Sequence, residues 1–156
     1  MKVQQVMTAS PLTCTPDSTL ADVALLMWEG GCGFMPVVDD TGAVRGVITD
    51  RDICIAAGTK RRAPAQMHAR ELMQRHVACC HPDDDVHAAL RLMELRRVRR
   101  LPVTGPGGLL TGILSMDDVV LQAGGAASDV SAAEIVGALR TICSQDLPVP
   151  RKTTER

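Results

Sequence analysis

Two short segments of this chain place a glycine, a hydroxyl residue and an aspartate in the same order. They are Gly46-Val47-Ile48-Thr49-Asp50-Arg51-Asp52 and, 66 positions later, Gly112-Ile113-Leu114-Ser115-Met116-Asp117-Asp118. In each segment the apolar pair predicts the end of a strand, and the hydroxyl residue predicts the start of a helix whose free amides attract phosphate. An aspartate one turn into the helix can accept two hydrogen bonds from a vicinal diol such as ribose. The pattern therefore predicts half of a nucleotide site, built twice.

The same spacing also has a purely structural interpretation. Thr49 with Asp52, and Ser115 with Asp118, fit a helix capping box, in which the two residues satisfy each other's backbone groups without a ligand. A single copy would favour that interpretation, whereas two copies in register favour a ligand site. The preceding glycine would let another group approach the strand backbone closely.

The elements around the motifs repeat with the same offset. Residues 6–58 lie over 72–124 without a gap, so that turn glycines and prolines before apolar runs recur. Each repeat predicts a β-α-β-β-α unit of mixed α/β (α+β) class. A unit of roughly 55 residues buries its sheet face poorly by itself, so we expect two units packed with pseudo-two-fold symmetry around a cleft. The predicted boundaries are residues 1–62 for the first repeat, 63–125 for the second, and 126–156 for a C-terminal helix opened by the capping box at Ser131, with a frayed tail from Pro148.

The composition excludes several classes of protein. With 46% apolar residues and a net charge of -1 in 156 residues, the chain is neither disordered nor strongly charged, which argues against nucleic-acid and membrane partners. One Trp, one Phe and no Tyr exclude base stacking on aromatic side chains. No apolar run approaches the roughly 18 residues of a membrane span, and the N-terminus has no signal-peptide core. We therefore expect a cytoplasmic protein whose six cysteines are reduced.

Residues 3–124 resemble a tandem pair of cystathionine-β-synthase (CBS) domains, the arrangement called a Bateman module. The resemblance rests on the paired motifs, the two Pro-Val strands and the openings Val6-Met7-Thr8 and Leu72-Met73. The segments 48–53 and 98–103 are typical of the family, and the absence of an attached enzyme or channel domain resembles the stand-alone prokaryotic kind. The resemblance implies a regulatory, non-enzymatic module that needs no cofactor, forms a homodimer through its helices and binds AMP, ADP, ATP or S-adenosylmethionine between its repeats. It implies neither a particular ligand nor a regulated partner.

The resemblance also assigns roles to individual residues. It implies that Asp52 and Asp118 hold ribose hydroxyls and that Thr49 and Ser115 face ribose or phosphate. The adenine is expected against residues at the entry to the first and second strands of each repeat: Leu12, Thr13, Met35, Pro36, Ala78, Cys79, Leu101 and Pro102.

Arginines predict that the two sites differ in charge. Arg99 and Arg100 precede a second-repeat strand, and Arg51 lies inside the first motif; the guanidinium fork suits phosphate. The first repeat has Gly33-Phe34 where the second has Arg99 and Arg100. One site is therefore expected to bind a less charged adenosine compound or to stay vacant. A solvated helix end is the alternative interpretation of the arginine run 96–100.

Other functions remain open at this stage. His76, Cys79, Cys80 and His81 are of types that bind zinc, but adjacent cysteines on an extended segment point to opposite faces. The six cysteines keep a thiol-redox response open, and the basic runs 60–62 and 96–100 keep nucleic-acid binding open. The chain has no nucleophile elbow, Walker lysine, metalloprotease helix or dinucleotide fingerprint, so we expect no catalysis.

Overall fold

Each repeat is organised around an antiparallel hairpin flanked by helices. The computed structural model describes residues 1–122 and 130–144, so the predicted repeat end at Gly124 and the tail from Pro148 lie outside it. The elements are β1 (Thr8–Ala9), α1 (Leu20–Glu29), β2 (Phe34–Val38), β3 (Val44–Thr49), α2 (Asp50–Thr59), α3 (Val86–Arg96), β4 (Arg100–Thr104), β5 (Leu110–Ser115), α4 (Met116–Gln122) and α5 (Ala132–Cys143). Short 3-10 helices at Val3–Gln5, Pro64–Gln66, Ala69–Glu71 and Pro106–Gly108 fill the connections. This confirms the predicted mixed α/β architecture of two repeats.

The two hairpins match each other in register. In the first, Met35 pairs with Ile48, and in the second Leu101 pairs with Leu114 at the corresponding positions. All four side chains are fully buried, because alternate residues of a strand point to the same face. The motif hydroxyl residue ends the return strand of each hairpin, which places it at the edge of the sheet where a helix begins.

The repeats exchange their opening segments. Strand β1 of the first repeat pairs with β5 of the second, with Thr8 opposite Ile113, while Gln74 of the second repeat pairs with Val47 in the first. The α1 and α3 helices are tied in the same way, since the Leu20 amide donates to the Met67 carbonyl at 2.9 Å. The sheet of each repeat is therefore completed by the other.

The motif glycines make this exchange possible. A Cβ at Gly46 would lie 2.9 Å from the Gln74 carbonyl oxygen, and one at Gly112 would lie 2.9 Å from the Thr8 carbonyl oxygen. Both distances are too short for a side chain, so the group that approaches these glycines is the opening segment of the other repeat. The sequence predicted that another group comes close to these glycines, but it did not predict that this group is the opening segment of the other repeat.

Helix α5 packs on the second repeat. Its residues Ile135, Ala138 and Ile142 join the core of that repeat, which is built from aliphatic side chains and methionine. The Ser131 hydroxyl accepts from the Glu134 amide at 3.2 Å, which confirms the predicted helix start. No helix within the described residues is long and apolar enough to cross a membrane.

Candidate functional site

Both repeated motifs form capping boxes. Asp52 Oδ2 accepts from the Thr49 amide at 3.0 Å and from Thr49 Oγ1 at 2.7 Å, while the Asp52 amide donates to Thr49 Oγ1 at 3.2 Å. Ser115 and Asp118 repeat this arrangement at 2.8, 2.6 and 3.1 Å. The structural interpretation of the spacing is thus realised in both copies. It occupies one carboxylate oxygen of each aspartate and leaves Oδ1 outside the box.

Two clefts flank these motifs and are related by the repeat. The first cleft is lined by Phe34, Val47, Thr49, Gln74, His76, Val77, Ala78, Val98, Arg99, Arg100 and Pro102. The second cleft is lined by Thr8, Ser10, Pro11, Leu12, Gly30, Cys32, Phe34, Arg100, Ile113, Ser115 and Asp118. Most residues that line one cleft lie 66 positions from a residue that lines the other. Each cleft joins the motif of one repeat to the opening segment of the other, so neither cleft exists within a single repeat.

The structure brings together about half of the predicted site residues. The first cleft contains Thr49, Ala78, Arg99, Arg100 and Pro102, and the second contains Leu12, Arg100, Ser115 and Asp118.

The remaining predicted residues line neither cleft. Asp52 lies on a neighbouring groove and Arg51 is exposed on α2. Met35 and Leu101 are fully buried, because strand alternation turns them into the two cores while the residues just before them face the clefts. Thr13, Pro36 and Cys79 are likewise outside both sets of lining residues.

Sequence reasoning missed cleft residues that depend on the exchange. Thr8 and Gln74 reach the clefts because each opening segment crosses to the other repeat, and His76 and Ser10 follow them. Two features of the sequence indicate cleft residues. They are the repeat offset of 66 residues and the alternation of side chains along a strand, which places Val47 on the same face as Thr49.

The clefts differ in charge. Among the described residues, Arg99, Arg100 and His76 line the first cleft and no carboxylate does, whereas both the shared Arg100 and Asp118 line the second. Arg100 also lies 3.8 Å from the Asp117 carboxylate, beside the second motif. The first cleft is therefore the more favourable of the two for an anion.

The cysteines of the opening segments are shielded. Burial raises the pKa of the Cys14 thiol to about 11 and that of Cys80 to about 12, and it also raises the pKa of Cys79. Cys80 is 2% exposed inside a core, while its neighbour Cys79 is only half-buried. Within residues 1–122 and 130–144, no three or more His, Cys, Asp or Glu side chains are grouped as a metal site requires.

The first repeat is β-α-β-β-α, and the second is α-β-β-α with only isolated bridges, such as that at Gln74, in place of the predicted opening strand. Two such repeats, which exchange opening segments and frame two related clefts, define the class of CBS domain pairs. The chain belongs to the CBS domain family, whose model matches residues 3–58 and 69–123.

Curated relatives place this pair in stand-alone and in larger proteins. The chain is 32% identical over 137 residues to Bacillus subtilis YlbB, with 83% of this chain and 91% of that protein covered. It is 33% identical over 114 residues, 73% of this chain, to an inosine-5'-monophosphate dehydrogenase of Mycobacterium leprae, of which it spans only 21%. It spans 61% of a Methanopyrus kandleri relative to which it is 31% identical over 120 residues. The dehydrogenase match thus covers a small part of a larger enzyme.

A solved structure shows the same fold with a ligand. The chain is similar to CBSX2 in complex with AMP, with 25% identity, a TM-score of 0.69, and 77% of this chain and 93% of that chain covered.

Proposed function

We propose that this protein is a regulatory module, not an enzyme, that binds adenosine-containing ligands in the two clefts between its repeats. The observation that carries the proposal is the composition of each cleft. A helix start capped by Thr49 or Ser115 meets an apolar wall and polar groups contributed by the other repeat. Similarity to CBSX2, which was solved in complex with AMP, supports the choice of ligand class.

The residues of the second cleft suggest how a nucleoside would be held. Asp118 Oδ1 lies outside the capping box and accepts a long 3.4 Å hydrogen bond from Thr8 Oγ1. That oxygen would accept from ribose hydroxyls, and Leu12 with Ile113 would enclose the base by apolar contact. In the first cleft Ala78 and Val47 take the places of Leu12 and Ile113, while Asp52, the counterpart of Asp118, lies at the margin, bonded to Thr49.

The charge difference suggests different ligands for the two clefts. The first cleft would bind a phosphate-bearing ligand such as AMP, ADP or ATP, because the guanidinium groups of Arg99 and Arg100 line it while Asp52 lies only at its margin. The second would bind a less charged adenosine compound, since Asp118 offsets Arg100. S-adenosylmethionine, which carries no phosphate, fits the second cleft better by this criterion.

A homodimer in the cytoplasm is the proposed setting. The helices α1 and α2 expose Leu25, Trp28 and Ile55, with Trp28 85% accessible, whereas α5 covers part of the helical face of the second repeat. A dimer formed through α1 and α2 would bury this apolar surface. Ligand binding would then alter the relative orientation of the repeats or the packing of the dimer. Light scattering of Trp28→Lys, expected to be monomeric beside a dimeric wild type, tests the interface.

Thermal unfolding against a ligand panel tests the proposed function. AMP, ADP, ATP, NAD and S-adenosylmethionine would each be added at millimolar concentration. A true ligand at 100 times its Kd should stabilise the folded state by about 2.7 kcal/mol and raise the Tm. A Tm that no member of the panel changes contradicts the proposal.

A further inference from the structure

Phe34 and Arg100 form a wall that the two clefts share. The two residues lie 66 positions apart, so they occupy the same place in the two repeats, and each of them lines both clefts. Phe34 pairs across its hairpin with Thr49, and Arg100 pairs with Ser115, so each lies beside the hydroxyl residue of its own motif. Because both residues lie between the clefts, a movement of either side chain changes both clefts at once.

The two residues of this wall differ in charge. Phe34 is apolar, whereas Arg100 places one guanidinium between a cleft that Arg99 also lines and a cleft that Asp118 lines. When the guanidinium turns away from the second cleft, Asp118 is the charged group that stays among the described residues lining it. The position of one side chain therefore sets the charge that the second cleft presents to a ligand.

A weak contact holds Arg100 on the side of the second motif. Its Nη2 lies 3.8 Å from the Asp117 carboxylate, and the Asp117 side chain is 82% exposed. An exposed ion pair contributes little, because water screens the charges and both side chains lose freedom. A phosphate takes short, charge-assisted and bidentate hydrogen bonds from the planar guanidinium. A phosphate in the first cleft therefore competes well with Asp117 for Arg100.

Resting on the proposed function, we propose that Arg100 couples the two clefts through its charge. A phosphate-bearing ligand in the first cleft takes the guanidinium, so the second cleft loses its positive charge and keeps Asp118. The second cleft then binds a cationic adenosine compound such as S-adenosylmethionine more tightly, because the repulsion between the guanidinium and the sulfonium is removed. By thermodynamic linkage, the cationic ligand strengthens binding of the phosphate-bearing ligand by the same factor.

Calorimetric titration of S-adenosylmethionine, with and without saturating AMP, measures this coupling. In wild type, AMP should strengthen S-adenosylmethionine binding about fivefold, the lower end of typical couplings between sites, and the reverse titration should give the same factor. S-adenosylhomocysteine lacks the methyl group and the sulfonium charge, so AMP should leave its affinity unchanged. This comparison distinguishes coupling through charge from a general change in the shape of the cleft.

The variant Arg100→Gln removes the shared charge. S-adenosylmethionine should bind this variant about fivefold more tightly than it binds wild type without AMP, and AMP should no longer change that affinity. AMP should bind the variant more weakly than wild type, with Arg99 still lining the first cleft. Arg91→Gln is the matched control, because Arg91 is an exposed arginine of α3 that lines neither cleft, and it should keep the wild-type coupling.

Four results overturn the proposal while leaving the proposed function intact. They are displacement of S-adenosylmethionine by AMP in wild type, binding of only one of these two ligands, an equal effect of AMP on S-adenosylmethionine and S-adenosylhomocysteine, and an affinity of Arg100→Gln for S-adenosylmethionine no higher than that of Arg91→Gln. If neither AMP nor S-adenosylmethionine binds wild type, the proposed function fails and this inference fails with it.

Discussion

The two carboxylate oxygens of Asp118 lie in different surroundings. In Asp118, Oδ2 closes the capping box of α4 and Oδ1 faces the second cleft. A capping aspartate needs no ligand, so the motif by itself is ambiguous. The position of the box at the edge of a cleft, rather than the box itself, supports a binding role.

Replacing Asp118 with alanine should separate the two tasks when it is compared with Asp22→Ala. Asp22 forms a similar pair with Thr19, whose hydroxyl donates to the carboxylate at 2.7 Å and accepts from the Asp22 amide at 3.1 Å, but it lines neither cleft. Both variants keep the hydroxyl cap and lose the carboxylate bonds to it, so each should lower the free energy of unfolding by about 1 kcal/mol. Only Asp118→Ala should weaken ligand binding, by roughly 1.5–3 kcal/mol. Equal ligand affinity in the two variants, measured by calorimetry, would remove Asp118 from the site.

The reactivity of each cysteine should depend on how deeply its thiol is buried. Raised pKa values keep the buried thiols of Cys14 and Cys80 protonated near neutral pH, and the thiolate is the reactive form. Iodoacetamide at pH 8 should alkylate the exposed Cys54 and Cys143 in the native protein and reach Cys14 and Cys80 only after unfolding. Peptide mass spectrometry gives the site-specific rates, and a native rate at Cys80 equal to that at Cys54 would refute this division.

At the scale of elements, the exchanged opening segments build the clefts. Gly46→Ala and Gly112→Ala should each destabilise the fold by about 1–3 kcal/mol, because the new methyl group would overlap a carbonyl of the other repeat. Gly58→Ala, in α2 with nothing within 4 Å, should instead stabilise it by about 0.5–1 kcal/mol. Urea unfolding measures all three. A neutral effect of both strand substitutions would mean that the close approach does not constrain the fold.

The sequence predicted the elements better than their partners. The offset of 66 located both hairpins and the helix starts at Thr49 and Ser115, and the spacing of Ser131 and Glu134 located the start of α5, because those features depend on local spacing. It did not predict that β1 pairs with β5, because a two-residue strand has no periodicity of its own. Because this pairing was not predicted, the cleft-wall residues that it positions were not predicted either. Met35 and Leu101 are expected beside the adenine because they lie at a strand entry, but side chains alternate along a strand and both of these point into the core.

At the scale of the whole molecule, near-equal repeats produce unequal halves. Within residues 1–122 and 130–144, helix α5 joins the core of the second repeat, and two arginines line the first cleft while one arginine and Asp118 line the second. The pseudo-symmetric fold thus provides two related clefts, while differences such as Gly33 in the first repeat and Arg99 in the second give them different chemistry. We expect the protein to respond to the kind of adenosine ligand present rather than only to its amount.

The central claim is that adenosine ligands occupy the clefts between the repeats, and a crystal structure of the protein grown with AMP tests it most directly. We predict a nucleotide in the first cleft, with its phosphate against Arg99 and Arg100 and its ribose beside Thr49. AMP bound outside both clefts, or both clefts empty at a concentration that saturates binding in solution, would contradict the claim.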